Sequence, residues 1–196
     1  MVDAAKIITF LRQRVEVTDE EALKFASFFH EKTLRKNQLI VQPNFVAQHR
    51  FYVTEGALRS FIADQSGKET TIALAAEDWW ITDYNSYIYQ QPATLFVETL
   101  TKATVLQLSF DDEATLKKMN TKFEMFFRII AERGLASQQR RLITNLTQSA
   151  EERYESFATT YPQFINLIPQ YIIASFLGMS TEFLSKIRNR KISRKS

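Results

Sequence analysis

Between Leu39 and Ser109 the chain carries short β-branched and aromatic runs at near-regular spacing, and this pattern constrains the fold more than any other feature. The runs are residues 39–41, 51–53, 57–62, 70–74, 94–97 and 104–108. Turn signals at Pro43-Asn44, Glu55-Gly56, Asp64-Gln65-Ser66-Gly67 and Gln91-Pro92 separate them. Many short strands with polar turns between them predict a small barrel or jelly roll. Helical periodicity brackets this block. Residues 3 to about 35 read as helices, with Ala5, Ile8, Phe10, Leu11 and Val15, then Leu23, Phe25, Phe28 and Phe29, at helical spacing. Thr18-Asp19-Glu20-Glu21 supplies a helix start between the two. The expected class is therefore α+β.

After the strands, Asp111-Asp112-Glu113 forms an acidic first turn suited to the positive end of a helix dipole. Leu116, Met119, Phe123, Phe126 and Ile130 follow at three-to-four spacing, the signature of a helix seam. The pattern loosens through Leu135, Leu142 and Leu146. A continuous helix of this extent would reach about 50 Å, more than one compact core covers. It either spans two domains and pairs with its copy, or packs on its own barrel. Gly134 lies in its middle and marks a kink or a close approach to another helix.

Residues 168–191 carry the chemistry. Pro169 suits a first helical turn, and Ile172, Ile173, Phe176 and Leu177 give that helix an apolar face. Ala174 is small enough for a second helix to cross closely. Gly178 can end the first helix in the left-handed conformation, and Ser180 can cap the next, whose expected buried side is Phe183, Leu184 and Ile187. Two short helices joined by a Gly-containing turn make a helix-turn-helix, whose second helix enters the major groove of DNA. Thr181, Glu182, Ser185 and Lys186 would face base edges: Glu182 can accept from a cytosine amino group and Lys186 can donate to guanine. Arg188, Arg190 and Lys191 lie further along and would meet phosphates. An ordinary helical hairpin is the competing reading of the same pattern.

Composition narrows the alternatives. Net charge is only +3, but no acid follows Glu182, whereas Lys186, Arg188, Arg190, Lys191, Arg194 and Lys195 do. Such a cluster suits a phosphate backbone, although an isolated basic terminus would read as a solvated tail. With no cysteine, disulfides and thiolate metal sites are excluded. The two histidines, His30 and His49, form no close ligand pair, and the four glycines cannot assemble a phosphate-binding loop. No secretion signal or membrane span is expected, which places the protein in the cytoplasm, and nothing suggests an enzyme.

This arrangement resembles the Crp/Fnr family of bacterial transcription regulators over nearly the whole chain. Residues 51–59 with 64–69 look like the paired strands and Gly turns of that family. Residues 177–186 look like its recognition unit, in which Glu-x-x-Ser-Arg is usual; Glu182 and Ser185 match, and Lys186 replaces the arginine, losing the bidentate fork. The resemblance implies a cyclic-nucleotide-binding-like jelly roll over residues 1–110, a dimerisation helix over 111–147 and a helix-turn-helix domain over 148–196. The implied partners are double-stranded DNA, a second copy through residues 111–146, and RNA polymerase as a candidate.

Two departures carry expectations of their own. Cyclic-nucleotide binders of this family use a glutamate for the ribose and an arginine for the cyclic phosphate; Thr82 and Ala93 stand at those positions here. Tight cyclic AMP binding is therefore not expected, and no cofactor is assigned. Trp80, Thr82, Asp83, Ala93 and Thr94 are the candidate lining of a pocket for a different effector, or else core that fills an unused one. The other departure is that only Ile192-Ser193-Arg194-Lys195-Ser196 follow the second helix, so a truncated or absent wing is expected. A sensor or protein-interaction module of the same fold, without specific DNA binding, is the alternative function.

Overall fold

The computed structural model describes residues 4–193, with side chains through Arg190. Two helices open the chain, α1 (Ala4–Arg12) and α2 (Asp19–Ala26). The start of α2 is a capping box: the Glu21 N–H donates to Thr18 Oγ1 at 3.2 Å, and the Thr18 N–H donates to Glu21 Oε2 at 2.8 Å. Eight strands follow: β1 (His30–Leu34), β2 (Leu39–Val41), β3 (His49–Glu55), β4 (Leu58–Ala63), β5 (Glu69–Ala75), β6 (Trp80–Ile81), β7 (Phe96–Thr99) and β8 (Ala103–Ser109). A short helix, α3 (Tyr84–Tyr89), interrupts them after β6. All pairings are antiparallel, in two four-stranded sheets ordered β1-β8-β3-β6 and β2-β7-β4-β5. This is the expected jelly roll. One expectation needs correction, because His30–Leu34 is a strand and not a continuation of the helices. Four of its five residues are exposed on a sheet edge, so it has no alternation to read.

The inner faces of the two sheets enclose Leu34, Phe51, Val53, Leu58, Ile81, Val97 and Val105. The outer face of the β3–β8 pair is also covered: Tyr52, Leu106 and Leu108 pack against Ile7, Phe10 and Leu11 of α1 and Phe25 of α2. Strand β3 is therefore buried on both faces from Arg50 to Thr54.

The long helix differs from its sequence reading in two ways. It is two helices, α4 (Phe110–Met119) and α5 (Thr121–Thr147), broken at Asn120. The Asn120 side chain accepts from the Lys122 N–H at 2.9 Å and so caps α5. Asn120 Nδ2 and Lys122 Nζ also reach Glu21 of α2, at 2.9 and 2.8 Å. These donors hold the Glu21 carboxyl down to about 2. Second, the seam at Leu116, Phe123 and Phe126 does not face a second copy. It is buried against the chain's own α1, α2 and β3–β8, where Phe25 meets Phe123, Phe126 and Phe127 at ring separations of 5.1 to 5.8 Å. Apolar residues further along α5 are what remain open. Leu135, Leu142 and Leu146 are 71, 59 and 77% exposed.

A buried ion pair ties these layers together. Arg50 Nε of β3 lies 2.9 Å from Glu113 Oε2 of α4, with both side chains more than nine-tenths buried. The approach is a charge contact and not an aligned hydrogen bond. The Tyr87 hydroxyl of α3 donates to Glu113 at 2.8 Å, and Lys117 lies 2.5 Å from its other oxygen. Burial and this carboxylate hold the Tyr87 phenol well above its usual range, so it remains a donor. The rings of Trp80, Tyr84, Tyr87 and Phe127 surround the Arg50 guanidinium at 5.1 to 5.6 Å.

Helices α6 (Ala150–Thr160), α7 (Pro162–Leu167), α8 (Gln170–Phe176) and α9 (Thr181–Ser193) complete the chain. No helix among the described residues is long and apolar enough to cross a membrane. Removing Glu113 leaves the buried Arg50 without a counter-charge, so Glu113→Ala should lower stability by about 3–5 kcal/mol. Arg50→Ala, which leaves Glu113 its Tyr87 and Lys117 contacts, should lose less. The double change Arg50→Met with Glu113→Leu should lose far less than Glu113→Ala. Urea unfolding of the three variants checks this, and a Glu113→Ala loss under about 1 kcal/mol would contradict it.

Candidate nucleic-acid interface

Helix α8 ends as its sequence dictates. Gly178 has φ +66°, its N–H donates to Ser175 O at 3.2 Å, and the Met179 N–H donates to Ala174 O at 3.0 Å. This pair of bonds is a Schellman motif with glycine at the left-handed position. A Cβ at Gly178 would meet nothing within 4 Å, so the requirement is conformational and not spatial. The Ser180 hydroxyl then accepts from the Phe183 N–H at 3.2 Å and caps α9. Ile172, Ile173, Ala174, Leu177, Leu184 and Ile187 close the core between α8 and α9. Phe183, expected on the buried side, is instead 40% exposed, because it lies a residue away from the Leu184–Ile187 stripe.

Thr181, Glu182, Lys186 and Arg190 are exposed, and Ser185 and Arg188 are half-buried. The first turn of α9 is therefore presented outward, with Glu182 and Lys186 one helical turn apart. The Glu182 backbone N–H, the Ser180 hydroxyl and Lys186 together pull the Glu182 carboxyl below its usual value, so it is ionised at neutral pH. Arg190 makes an exposed pair with Glu151 of α6 at 2.9 Å, a contact that solvent screens heavily. Lys191 lies in α9, with its side chain outside the described residues; Arg194 and Lys195 also lie outside them.

The unit is fixed to the roll by contacts the sequence did not disclose. The Thr71 N–H of β5 donates to Ser175 Oγ of α8 at 2.8 Å, and Ser175 Oγ donates to Glu69 O at 3.3 Å. Arg141 of α5 donates to Ile72 O and, at 3.2 Å, to Phe176 O, and its guanidinium lies 4.1 Å from the centre of the Phe176 ring. Within the C-terminal helices themselves, Arg153 of α6 donates to Leu177 O at 3.0 Å. Trp79 meets Tyr161 and Phe164 edge-on at 5.2 and 5.9 Å. Ala57, Leu74, Ala76 and Leu100 of the roll join the same apolar cluster as Phe157, Ile172 and Ile173.

The five residues taken as a possible effector pocket do not line one cavity. Trp80 points out of the roll and packs against Phe29, Tyr52 and Phe126, whereas Ile81 points in. Thr82 is buried and its hydroxyl donates to His49 O at 2.8 Å. Asp83 is 1% exposed and caps α3, accepting from the Ser86 N–H at 3.1 Å. Its other oxygen accepts from the N–H groups of Thr94 and Leu95 at 2.8 and 3.0 Å. Ala93 is buried against the β2–β3 connection, donating to Phe45 O at 2.9 Å and accepting from Asn44 N at 3.2 Å. A cleft of about 450 Å³ opens elsewhere, lined by Ile40, Phe45, Val46, His49 and Phe51 among others; none of the five residues borders it.

A jelly roll leading through a long helix to a helix-turn-helix is the architecture of the Crp/Fnr regulators, and this chain has that fold. FixK2 from Bradyrhizobium japonicum matches with a TM-score of 0.73 at 14% identity, over 85% of this chain and 86% of that one. A putative cyclic nucleotide binding protein from Ruegeria pomeroyi matches with a TM-score of 0.70 at 16% identity, over 98 and 89%. The c-di-GMP responsive global regulator CLP of Xanthomonas campestris matches with a TM-score of 0.69 at 12% identity, over 91 and 93%. No family model and no curated protein matches the sequence.

Gly178→Ala should destabilise the helix-turn-helix by about 1 kcal/mol through backbone strain alone. Denaturant unfolding should show a lowered midpoint with an unchanged slope; no change in midpoint would contradict the assigned turn.

Proposed function

We propose that this protein is a sequence-specific DNA-binding transcription regulator that acts as a homodimer in the cytoplasm. The observation that carries the reading is the outward first turn of α9, held by a roll-anchored α8 and bearing an ionised carboxylate beside a lysine. Thr181, Glu182, Ser185 and Lys186 are the base-reading residues, with Glu182 accepting from cytosine and Lys186 donating to guanine. Arg188, Arg190 and Lys191 meet phosphates; for Arg190 this means exchanging the Glu151 carboxylate for a phosphate oxygen.

Dimerisation is assigned to the outer half of α5, narrowing the range of residues 111–146 suggested by the sequence. Leu135, Leu142, Ile143 and Leu146 stand exposed there, and Gly134 has open space above its Cα for a partner helix. A symmetric pair would set two α9 helices about 34 Å apart, one turn of DNA. RNA polymerase is the further partner that a regulator bound at a promoter would meet. No catalytic step is assigned to the chain.

Fluorescence anisotropy on a selected operator tests the reading. Glu182→Ala with Lys186→Ala should erase the preference for that operator over random DNA. Arg190→Ala should weaken binding to both and lower the slope of log K against log salt by about one. Leu135→Glu with Leu142→Glu should give monomers in analytical ultracentrifugation and reduce operator affinity. Unchanged operator preference in the first variant would refute the groove assignment.

A further inference from the structure

Asp83 is among the most enclosed carboxylates in the roll, and it has no basic partner. It is 1% exposed, and no ion pair among the described residues includes it. Its charge is met instead by four donors. Oδ1 accepts from the Ser86 N–H, while Oδ2 accepts from the consecutive N–H groups of Thr94 and Leu95 and from the Thr94 hydroxyl at 3.4 Å. Successive backbone N–H groups converging on one oxygen form a nest, the arrangement in which proteins hold anions. Here the anion belongs to the chain.

We infer that Asp83 acts as a built-in ligand: its carboxylate fills the roll's own anion nest, so the roll needs no outside effector to hold the DNA-binding unit in place. The regulatory part of this inference rests on the DNA-binding reading above; the occupancy of the nest does not.

Two sets of contacts carry the argument further. The nest is sealed. Ala93, beside Thr94, is locked to Asn44 and Phe45, and Ser86 Oγ accepts from the Ala47 N–H at 2.8 Å while donating to Gln91 O at 2.5 Å. An incoming anion would have to evict a buried carboxylate and leave it without donors, which is unfavourable unless a new cation accompanies the anion. Ala93 supplies no cation.

The nest is also mechanically connected. Asp83 caps α3, whose Tyr84 and Tyr87 rings flank the Arg50 guanidinium. Arg50 pairs with Glu113 at the start of α4, and Phe127 of α5 packs on the same guanidinium. Helix α5 in turn carries Arg141, which joins β5 to α8. A series of contacts therefore runs from the nest to Phe127, and α5, solvent-exposed from 131 to 140, carries it on as a continuous helix to Arg141 and the helix-turn-helix.

The test uses the full chain and reads the Thr94 and Leu95 amide signals by NMR, together with the melting temperature. Cyclic AMP, cyclic GMP, cyclic di-GMP and inorganic phosphate, each added at about 1 mM, should move neither amide and should not raise the melting temperature. In Asp83→Ala the melting temperature should fall by several degrees, and phosphate should now shift both amides. Asp83→Asn, which keeps an acceptor but loses the charge, should fold and show faster hydrogen exchange in α3 and α4; this variant suffices if the alanine form does not fold. A wild-type chain whose Thr94 and Leu95 signals respond to any of these probes with a Kd below about 1 mM would overturn the inference. So would an Asp83→Asn chain with wild-type exchange rates throughout α3 and α4. DNA affinity measured with and without the same nucleotides should agree within twofold, and a tenfold change would overturn the regulatory part. Failure to bind any DNA would refute the DNA-binding reading alone, because the amide measurements stand apart from it.

Discussion

Strand β5 is the free edge of its sheet, and an edge strand presents backbone groups that must find partners. In this protein the first helix of the helix-turn-helix covers that edge. Ser175 takes the Thr71 N–H, and Arg141 supplies the Ile72 carbonyl and then the Phe176 carbonyl at the end of α8. These are polar contacts over a shared apolar cluster, so they fix direction as well as adhesion. With α8 packed on β5 and Leu184 and Ile187 of α9 turned into the shared cluster, Thr181, Glu182 and Lys186 are left facing solvent. Every functional statement about Thr181, Glu182, Ser185 and Lys186 depends on that orientation.

A second constraint acts at the other end of the roll. The Arg50–Glu113 pair is enclosed by four aromatic rings contributed by β6, α3 and α5. A buried ion pair of this kind adds little net stability over an apolar equivalent, but it penalises any arrangement that separates its members. It therefore specifies where α4 begins relative to α3. With Asp83 holding α3 from one side and Arg141 holding α8 from the other, the helix between them has little freedom to change its path. The fold is here braced from within.

Much of this was legible in the sequence, and the exceptions have physical causes. The turn at Gly178, the cap at Ser180 and the capping box at Thr18 are local devices, readable from a few consecutive residues. The inward faces of β3, β7 and β8 were readable from their branched and aromatic runs. His30–Leu34 was not, because an exposed edge strand has no buried face to alternate with. The Leu116–Phe126 seam reads as a buried stripe, but the sequence leaves open whether a second copy or the chain's own roll covers it: a stripe records that a face is covered, not by what. The break at Asn120 escaped notice because asparagine there serves two helices at once. Arg50 with Glu113, Arg141 with β5, and Asp83 with Thr94 and Leu95 join residues distant in the chain, and no spacing announces them. The candidate pocket residues illustrate the same limit. Of the five, only Thr94 meets Asp83; Thr82 and Ala93 bond other backbone groups, and Trp80 lies on the opposite face of its strand from Ile81.

The central claim is that α9 reads DNA from two copies of this chain. Selecting bound sequences from random duplexes with the unmodified protein tests it most directly. The expected result is an inverted repeat whose half-sites are centred about one helical turn apart, with guanine or cytosine contacts that disappear when Glu182 and Lys186 are replaced. A pool that enriches no motif, or a motif that persists unchanged in that variant, would contradict it.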